Sequence, residues 1–271
     1  MGHAEGSGWV PQGIDVELPS AARTYDYLIG GRHNFSADRE LGDRLTSVLP
    51  GMRDVARLNR AFLRRAVLFL VDSGVRQFLD LGSGIPTAGN VHEIAQQADE
   101  QARVVYVDKE PVAVAHSRML LEGNERATMI QADMGEPDAV LQAAETRRLL
   151  DFDAPIGLLM VAVFHLVADE QRPHDIVAAY RDQLASGSYL ALSHFTADTR
   201  PEEMAAVVEM MKHSADPLHP RSREEITGLF DGFDLVEPGV VSTSLWRPES
   251  PEELGSDIDH SDIFAGVGRK P

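Results

Sequence analysis

The chain has 271 residues, 43% of them hydrophobic and 25% charged, a balance that supports a packed core and excludes disordered and collagenous classes. Its formal net charge of −18 makes nucleic acid an unlikely partner, because such proteins gain affinity by neutralising phosphates with Lys and Arg. The absence of cysteine excludes disulfides, thiolate metal sites and thiol nucleophiles.

The first residues, Met1 to Gly13, are small and polar, without the basic flank and apolar run of a secretory signal, and no window is long enough to span a membrane. A cytoplasmic protein with no membrane partner is therefore expected, also because a cysteine-free chain suits a reducing compartment. Residues 1–19 read as a flexible tail, 20–75 as a helical extension and possible lid, and 76–271 as the catalytic domain.

The segment Tyr25 to Phe35 mixes aromatic residues with Gly30-Gly31 and Asn34. It suits either a lid hinged at the glycines or a helix end capped by glycine with its aromatics in the core. Asp54 to Val71 carries Val55, Leu58, Phe62, Leu63, Ala66, Val67 and Leu70 at the period of an amphipathic helix. Arg53, Arg57, Arg60, Arg64 and Arg65 in the same stretch read as a solvated basic face.

Gln77 to Leu81 is a short apolar strand that opens into Gly82-Ser83-Gly84, and Asn90 to Ala98 reads as the following helix. The alternation continues with a strand at Arg103 to Val107, a helix at Val112 to Glu122, a strand at Thr128 to Ile130 and a helix at Asp138 to Leu149. Ile156 to Val163 is nearly all apolar, as befits a central strand covered on both faces. A helix at Asp175 to Leu184 and a strand at Ser188 to Ser193 complete the regular part. Helices at Glu202 to Lys212 and Arg223 to Phe230 follow, then strands at Phe233 to Glu237 and Ile263 to Gly268. Between these strands, Pro248 to Asp262 is acidic and rich in Ser and Pro, the composition of an exposed loop. The order predicts an α/β, Rossmann-like, doubly wound and mostly parallel seven-stranded sheet with one antiparallel edge strand and helices on both faces.

Ligands of such sheets bind beyond the carboxyl ends of the strands, so the Gly82-Ser83-Gly84 turn is the prime candidate site. A dinucleotide fingerprint would carry a third glycine where Thr87 stands, and Asp80 would repel a pyrophosphate while suiting an ammonium group. Asp108 ends the second strand, where a carboxylate can accept the hydroxyls of a ribose, with Lys109 beside it. Ala132, Asp133 and Met134 follow the third strand and could hold an adenine.

The series Asp80-x-Gly82-x-Gly84, Asp108 and Ala132-Asp133-Met134 resembles the first three motifs of class I S-adenosylmethionine-dependent methyltransferases. A nearer resemblance is to a bacterial S-adenosyl methyltransferase family formerly known only as a domain of unknown function. It rests on the run from Ala22 to Phe35, on Gln77 to Thr87, on Val104 to Asp108 and on Phe164-His165, and also on Gly187 to Leu190 and Val267 to Lys270. Pro86 replaces the third glycine of the general methyltransferase pattern, as it does in that family. The resemblance implies the fold and S-adenosylmethionine as cofactor, and it does not supply the methyl acceptor. With it, Asp80, Gly82, Ser83, Gly84, Asp108, Lys109, Ala132, Asp133, Met134, Phe164, Tyr27 and Asn34 are expected around the cofactor.

Methyl transfer from a sulfonium needs mainly alignment and exclusion of water, with a base helping where the acceptor is protonated. His165 beyond the fourth strand, His194 at the end of the fifth and His33 near the N terminus are the candidates, each equally readable as a hydrogen-bonded structural histidine. His92 and His174 have acidic neighbours, but no spacing matches a metal site. The expected partner is a small-molecule acceptor, and the oligomeric state is open. The rival readings are a catalytically silent cofactor-binding regulator and a nicotinamide-dependent oxidoreductase.

Overall fold

Apolar periodicity near the N terminus yields three helices ahead of the sheet, α1 (Ala21–Leu28), α2 (Ser36–Val48) and α3 (Met52–Asp72). The computed structural model describes residues 14–87, 89–249 and 262–271. Most of the expected tail and most of the acidic Ser/Pro-rich loop lie outside the described residues. No helix among the described residues is long and apolar enough to cross a membrane.

Strands and helices then alternate: β1 (Gln77–Leu81), α4 (Val91–Ala98), β2 (Arg103–Asp108), α5 (Pro111–Leu120) and β3 (Ala127–Gln131). Next come α6 (Pro137–Leu141), α7 (Ala144–Leu149), β4 (Gly157–Val161), α8 (Pro173–Gln183) and β5 (Tyr189–Phe195). The chain closes with α9 (Pro201–Met211), α10 (Arg223–Gly228), β6 (Asp234–Leu235), β7 (Val241–Ser242) and β8 (Ile263–Arg269). The strand order is β3-β2-β1-β4-β5-β8-β6, with β7 pairing to β8 off this path. Strands β1 to β5 are mutually parallel, and β8 runs antiparallel to β5, β6 and β7. The expected doubly wound sheet is thus present with an eighth, two-residue strand, β7, too short to leave a periodic signal.

The single helix expected over Asp138 to Leu149 is two helices. Val140 and Leu149 are nine positions apart, which at about 100° per residue sets them on opposite faces of an unbroken helix. The break lets both enter one core cluster. The fourth strand stops at Val161 because Ala162 takes a positive φ of 56°.

Alternation along the strands divides the core. Leu79, Leu81, Leu158 and Met160 pack with Ile176 and Tyr180 of α8 on one face. Phe78, Leu159 and Ala191 pack with Phe62, Leu63 and Leu70 of α3 on the other. Asp80 is two residues from Phe78, so it shares the α3 face, beyond the last apolar contacts and toward the carboxyl edge. A third cluster joins Leu28, Leu41, Leu45 and Met52 of the N-terminal helices to Val207 and Met211 of α9, above that edge.

The solvated basic face expected on α3 is only partly so. Arg57 and Arg64 are exposed, whereas Arg65 is buried and its guanidinium donates to the carbonyls of Trp246 at 2.9 Å and Thr243 at 2.6 Å. Periodicity identifies a polar face, but it does not show that a distant loop covers part of it. Arg65→Leu strands those carbonyls in the core and is expected to destabilise the protein by about 2 to 4 kcal/mol. Arg64→Leu, which breaks only an exposed pair with Glu249, is expected to cost under about 1 kcal/mol. Urea unfolding of the two variants checks the contrast.

Candidate functional site

The turn after β1 is built by two glycines with different tasks. Gly82 has a φ of +64° and its N–H donates to Val107 O at 2.8 Å. A Cβ there would meet Val163 Cγ2 at 2.1 Å, so Gly82 lets the β4 loop pack against the turn. Gly84 has a φ of +68°, and a Cβ there would meet nothing within 4 Å, because it would project into open space. The sequence suggests that both glycines face a ligand; both line the cavity beyond the strand ends, with Gly82 also packed against Val163 and Gly84 beside open space.

The Gly84 N–H donates to Asp108 Oδ2 at 2.7 Å, and the Glu110 N–H donates to Oδ1 at 2.9 Å. These bonds hold one carboxylate between two loops at the mouth of β2. Asp80 and Asp108 are 6% and 8% exposed, and both line a cavity of about 210 Å³ beyond the strand ends. Burial pushes the Asp80 carboxyl up to about 7; Arg60 opposes the shift and Asp108 adds to it. Burial also raises Asp108 to about 6 against the pull of the Glu110 and Gly84 N–H groups.

Ser83, Lys109, Ala132, Asp133 and Met134 share this wall, so the residues following β1, β2 and β3 do converge. The Lys109 ammonium lies 2.9 Å from the buried Asp216 carboxylate. Two hydroxyls of the wall, Ser83 Oγ and Thr24 Oγ1, are buried without a hydrogen-bond partner among the described residues.

Other candidates lie outside the wall. Tyr27 donates its hydroxyl to Asp43 at 2.7 Å and stacks under Arg53 on the far side of α1. Asn34 is buried, its amide donating to Asp26 Oδ2 at 2.8 Å. That oxygen also accepts the His33 N–H at 2.8 Å, and the His33 ring packs 3.8 Å from His116. The residues after α1 thus form a helix end tied back to Asp26. Phe164 is fully buried in the core on the α8 face.

Among the three candidate histidines, His165 alone lines the cavity. Its Nδ1 accepts the Phe195 N–H at 3.4 Å, which leaves the neutral ring's proton on Nε2. Burial lowers its pKa well below the usual imidazole value, with His194, Arg221 and His219 acting in the same direction. His194 is fully buried away from the cavity. Its Nε2 accepts from Arg221 at 2.9 Å and its Nδ1–H donates to Phe195 O at 2.7 Å. Burial depresses it to about 3, against the raising effect of the Phe195 carbonyl and with the Arg221 charge adding to the fall.

The sequence reading missed the groups that α1 and α3 bring to the site. Ser193 Oγ accepts the Ala162 N–H at 2.9 Å and donates to Asn59 Oδ1 at 2.6 Å. Asn59 Nδ2 donates to the Tyr25 hydroxyl at 3.2 Å, which in turn donates to Ala56 O at 3.0 Å. Asn59, Arg60, Tyr25 and Thr24 all line the cavity. A signal for Asn59 existed: it precedes Phe62, Leu63 and Ala66 by three, four and seven residues and so lies on the apolar stripe. No group of residues able to hold a metal occurs among the described residues.

A family model described as S-adenosyl methyltransferase matches residues 7–271. A DUF574 family protein from Streptomyces avermitilis is 39% identical with a TM-score of 0.91, covering 95% of this chain and 99% of its own. A candidate methyltransferase from Thermobifida fusca is 40% identical, also at 0.91, over 97% and 99% of the two chains. The pyocyanin biosynthetic protein PhzM shares the fold at 19% identity and a TM-score of 0.50, over 92% of this chain and 62% of that one. No curated protein gives a significant match.

The raised pKa of Asp80 has a thermodynamic consequence. The native protein keeps a proton that the unfolded chain has lost above 3.8, so stability falls as pH rises from there to about 7. Asp80→Asn removes this cost, and the ligand-free variant is expected to exceed the parent's stability at pH 8 by on the order of 2 to 4 kcal/mol. Urea unfolding across pH checks it; the advantage should shrink toward pH 4.

Proposed function

This chain belongs to the S-adenosyl methyltransferase family, and we propose that it transfers a methyl group to a small-molecule acceptor in the cavity beyond the carboxyl ends of β1 to β5. S-Adenosylmethionine is its cofactor. The observation that carries the residue assignment is the pair of desolvated carboxylates, Asp80 and Asp108, in one cavity beside the open space over Gly84. Two acidic groups held out of water suit a ligand bearing a cation and a diol.

The residues fit such a ligand. On this reading Asp80 takes the ammonium group, Asp108 the ribose hydroxyls, and Ala132, Asp133 and Met134 the adenine. The Ser83 and Thr24 hydroxyls offer hydrogen bonds that no described residue takes up. When bound, the cofactor supplies a methyl group already activated on a sulfonium. The protein's share is to orient the acceptor and keep water out, the work of the helices within residues 20–75 that cover the cavity. His165 contributes a neutral Nε2–H donor rather than a base, since its Nδ1 is engaged and burial keeps the ring uncharged at neutral pH. A cysteine-free chain fits this activity in the cytoplasm.

S-Adenosylmethionine and S-adenosylhomocysteine are expected to raise the melting temperature, and NAD is expected to leave it unchanged; the reverse pattern defeats the assignment. Asp108→Ala should weaken cofactor binding about 10- to 150-fold, through loss of charge-assisted bonds of about 1.5 to 3 kcal/mol, as measured by calorimetry.

Once an acceptor is in hand, any inflection of turnover between about pH 6 and 7 is expected to be the same in the parent and in His165→Gln, because His165 stays neutral there and the cavity groups that titrate in that range are Asp80 and Asp108. His165→Gln, which keeps a donor, should retain more turnover than His165→Ala, with cofactor affinity alike in both.

A further inference from the structure

The cavity has two halves of opposite character. Its charged side chains are Arg60, Asp80, Asp108, Lys109, Glu110, Asp133 and Asp216, all of them among the described residues. The carboxylates from Asp80 to Asp133 lie in or just after the carboxyl ends of β1, β2 and β3. Arg60 of α3 acts on Asp80, Glu110 pairs with Arg23 at 3.2 Å, and Asp216, which follows α9 and accepts the Ala21 N–H at 3.0 Å, pairs with Lys109 at 2.9 Å, so the charges that the helices bring are engaged toward that edge. The other half lies under the roof that the N-terminal helices and α9 form. Leu28, Leu45, Met52 and Val55 wall it from one side, and Val207 and Met211 from the other. Apart from Arg60 and Asp216, whose charges are engaged as above, these elements line the cavity with apolar side chains, and the polar lining groups here are Thr24 and Tyr25 of α1, Asn59 of α3, and His165 and Gln171 after β4.

A charged molecule in this chamber would lose its water and meet no opposite charge, a cost of several kcal/mol. An apolar molecule would instead gain from leaving water. Tyr25 and His165 add a finer requirement. The Tyr25 oxygen donates to Ala56 O and accepts from Asn59, which leaves one lone pair for a further donor. His165, with Nδ1 occupied, presents Nε2–H. One free acceptor and one free donor together match a neutral hydroxyl, which both gives and takes a hydrogen bond.

We infer that the roofed half of the cavity binds the methyl acceptor, and that this acceptor is an uncharged, predominantly apolar molecule carrying a neutral hydroxyl. The inference rests on the cofactor occupying the acidic half, as proposed above.

The test uses the whole chain loaded with S-adenosylhomocysteine and three probes of one shape: 2-naphthol, 2-naphthoate and 2-naphthylmethylammonium. Calorimetry should show 2-naphthol binding at least about tenfold more tightly than either charged probe. Met211→Trp, which fills the roofed half, should weaken 2-naphthol by about tenfold or more and change S-adenosylhomocysteine affinity by less than about threefold. Leu45→Trp fills it from the opposite wall and should act alike, which guards against one variant failing to fold. Equal or tighter binding of a charged probe, no binding of 2-naphthol, or 2-naphthol affinity unmoved in folded filled variants overturns the inference alone. Failure of the parent to bind S-adenosylhomocysteine at all overturns the cofactor assignment and this inference with it.

Discussion

A chain of hydrogen bonds running from Ser193 through Asn59 to Tyr25 fixes where α3 and α1 lie over the end of the sheet. The Asn59 carboxamide is buried, so each of its groups needs a partner, and Ser193 of β5 and Tyr25 of α1 supply them. The same Ser193 hydroxyl accepts the N–H of Ala162, whose positive φ turns the chain out of β4 and sends Val163 against Gly82. A polar constraint at one residue thus sets the height of the roof, the exit of the central strand and the packing of the glycine turn.

With α3 so placed, Asp80 loses its water. The face that Phe78 uses to pack on α3 is the face on which Asp80 must lie, because side chains alternate along a strand. The apolar clusters on both sides of the sheet supply the stability that allows two carboxylates to stay desolvated beside each other. Asp108 is further held by two loop N–H groups, so the charge is aimed before any ligand arrives. The stability cost of these groups and their fitness for binding have one origin, the removal of water.

The histidines show how similar sequence positions come apart in three dimensions. His165 follows β4 and His194 is the penultimate residue of β5, both at the carboxyl edge, and their rings lie 5.6 Å apart. His194 is consumed on both nitrogens by Arg221 and the Phe195 carbonyl, which makes it a fixture of the core. His165 has one nitrogen engaged and faces the cavity. The difference is one of hydrogen-bond saturation rather than of location along the chain.

Local chemistry was readable in the sequence wherever the chain itself dictates it. Apolar strands, amphipathic helices and the Gly82-Ser83-Gly84 turn determine the alternating architecture, and a parallel sheet must then gather Asp80, Asp108 and Asp133 at one edge. That reasoning reached the acidic half of the cavity. It did not reach Asn59, Arg60, Thr24 or Tyr25, nor the roof from α9, and it drew in Tyr27, Asn34, Phe164, His194 and His33, which lie outside the wall. These outcomes depend on which helix covers which face, on Arg65 being buried under the Trp246 segment and on side chains choosing between a core partner and the cavity. Each is a contact between residues far apart in the chain, so packing decided it after periodicity had no more to specify.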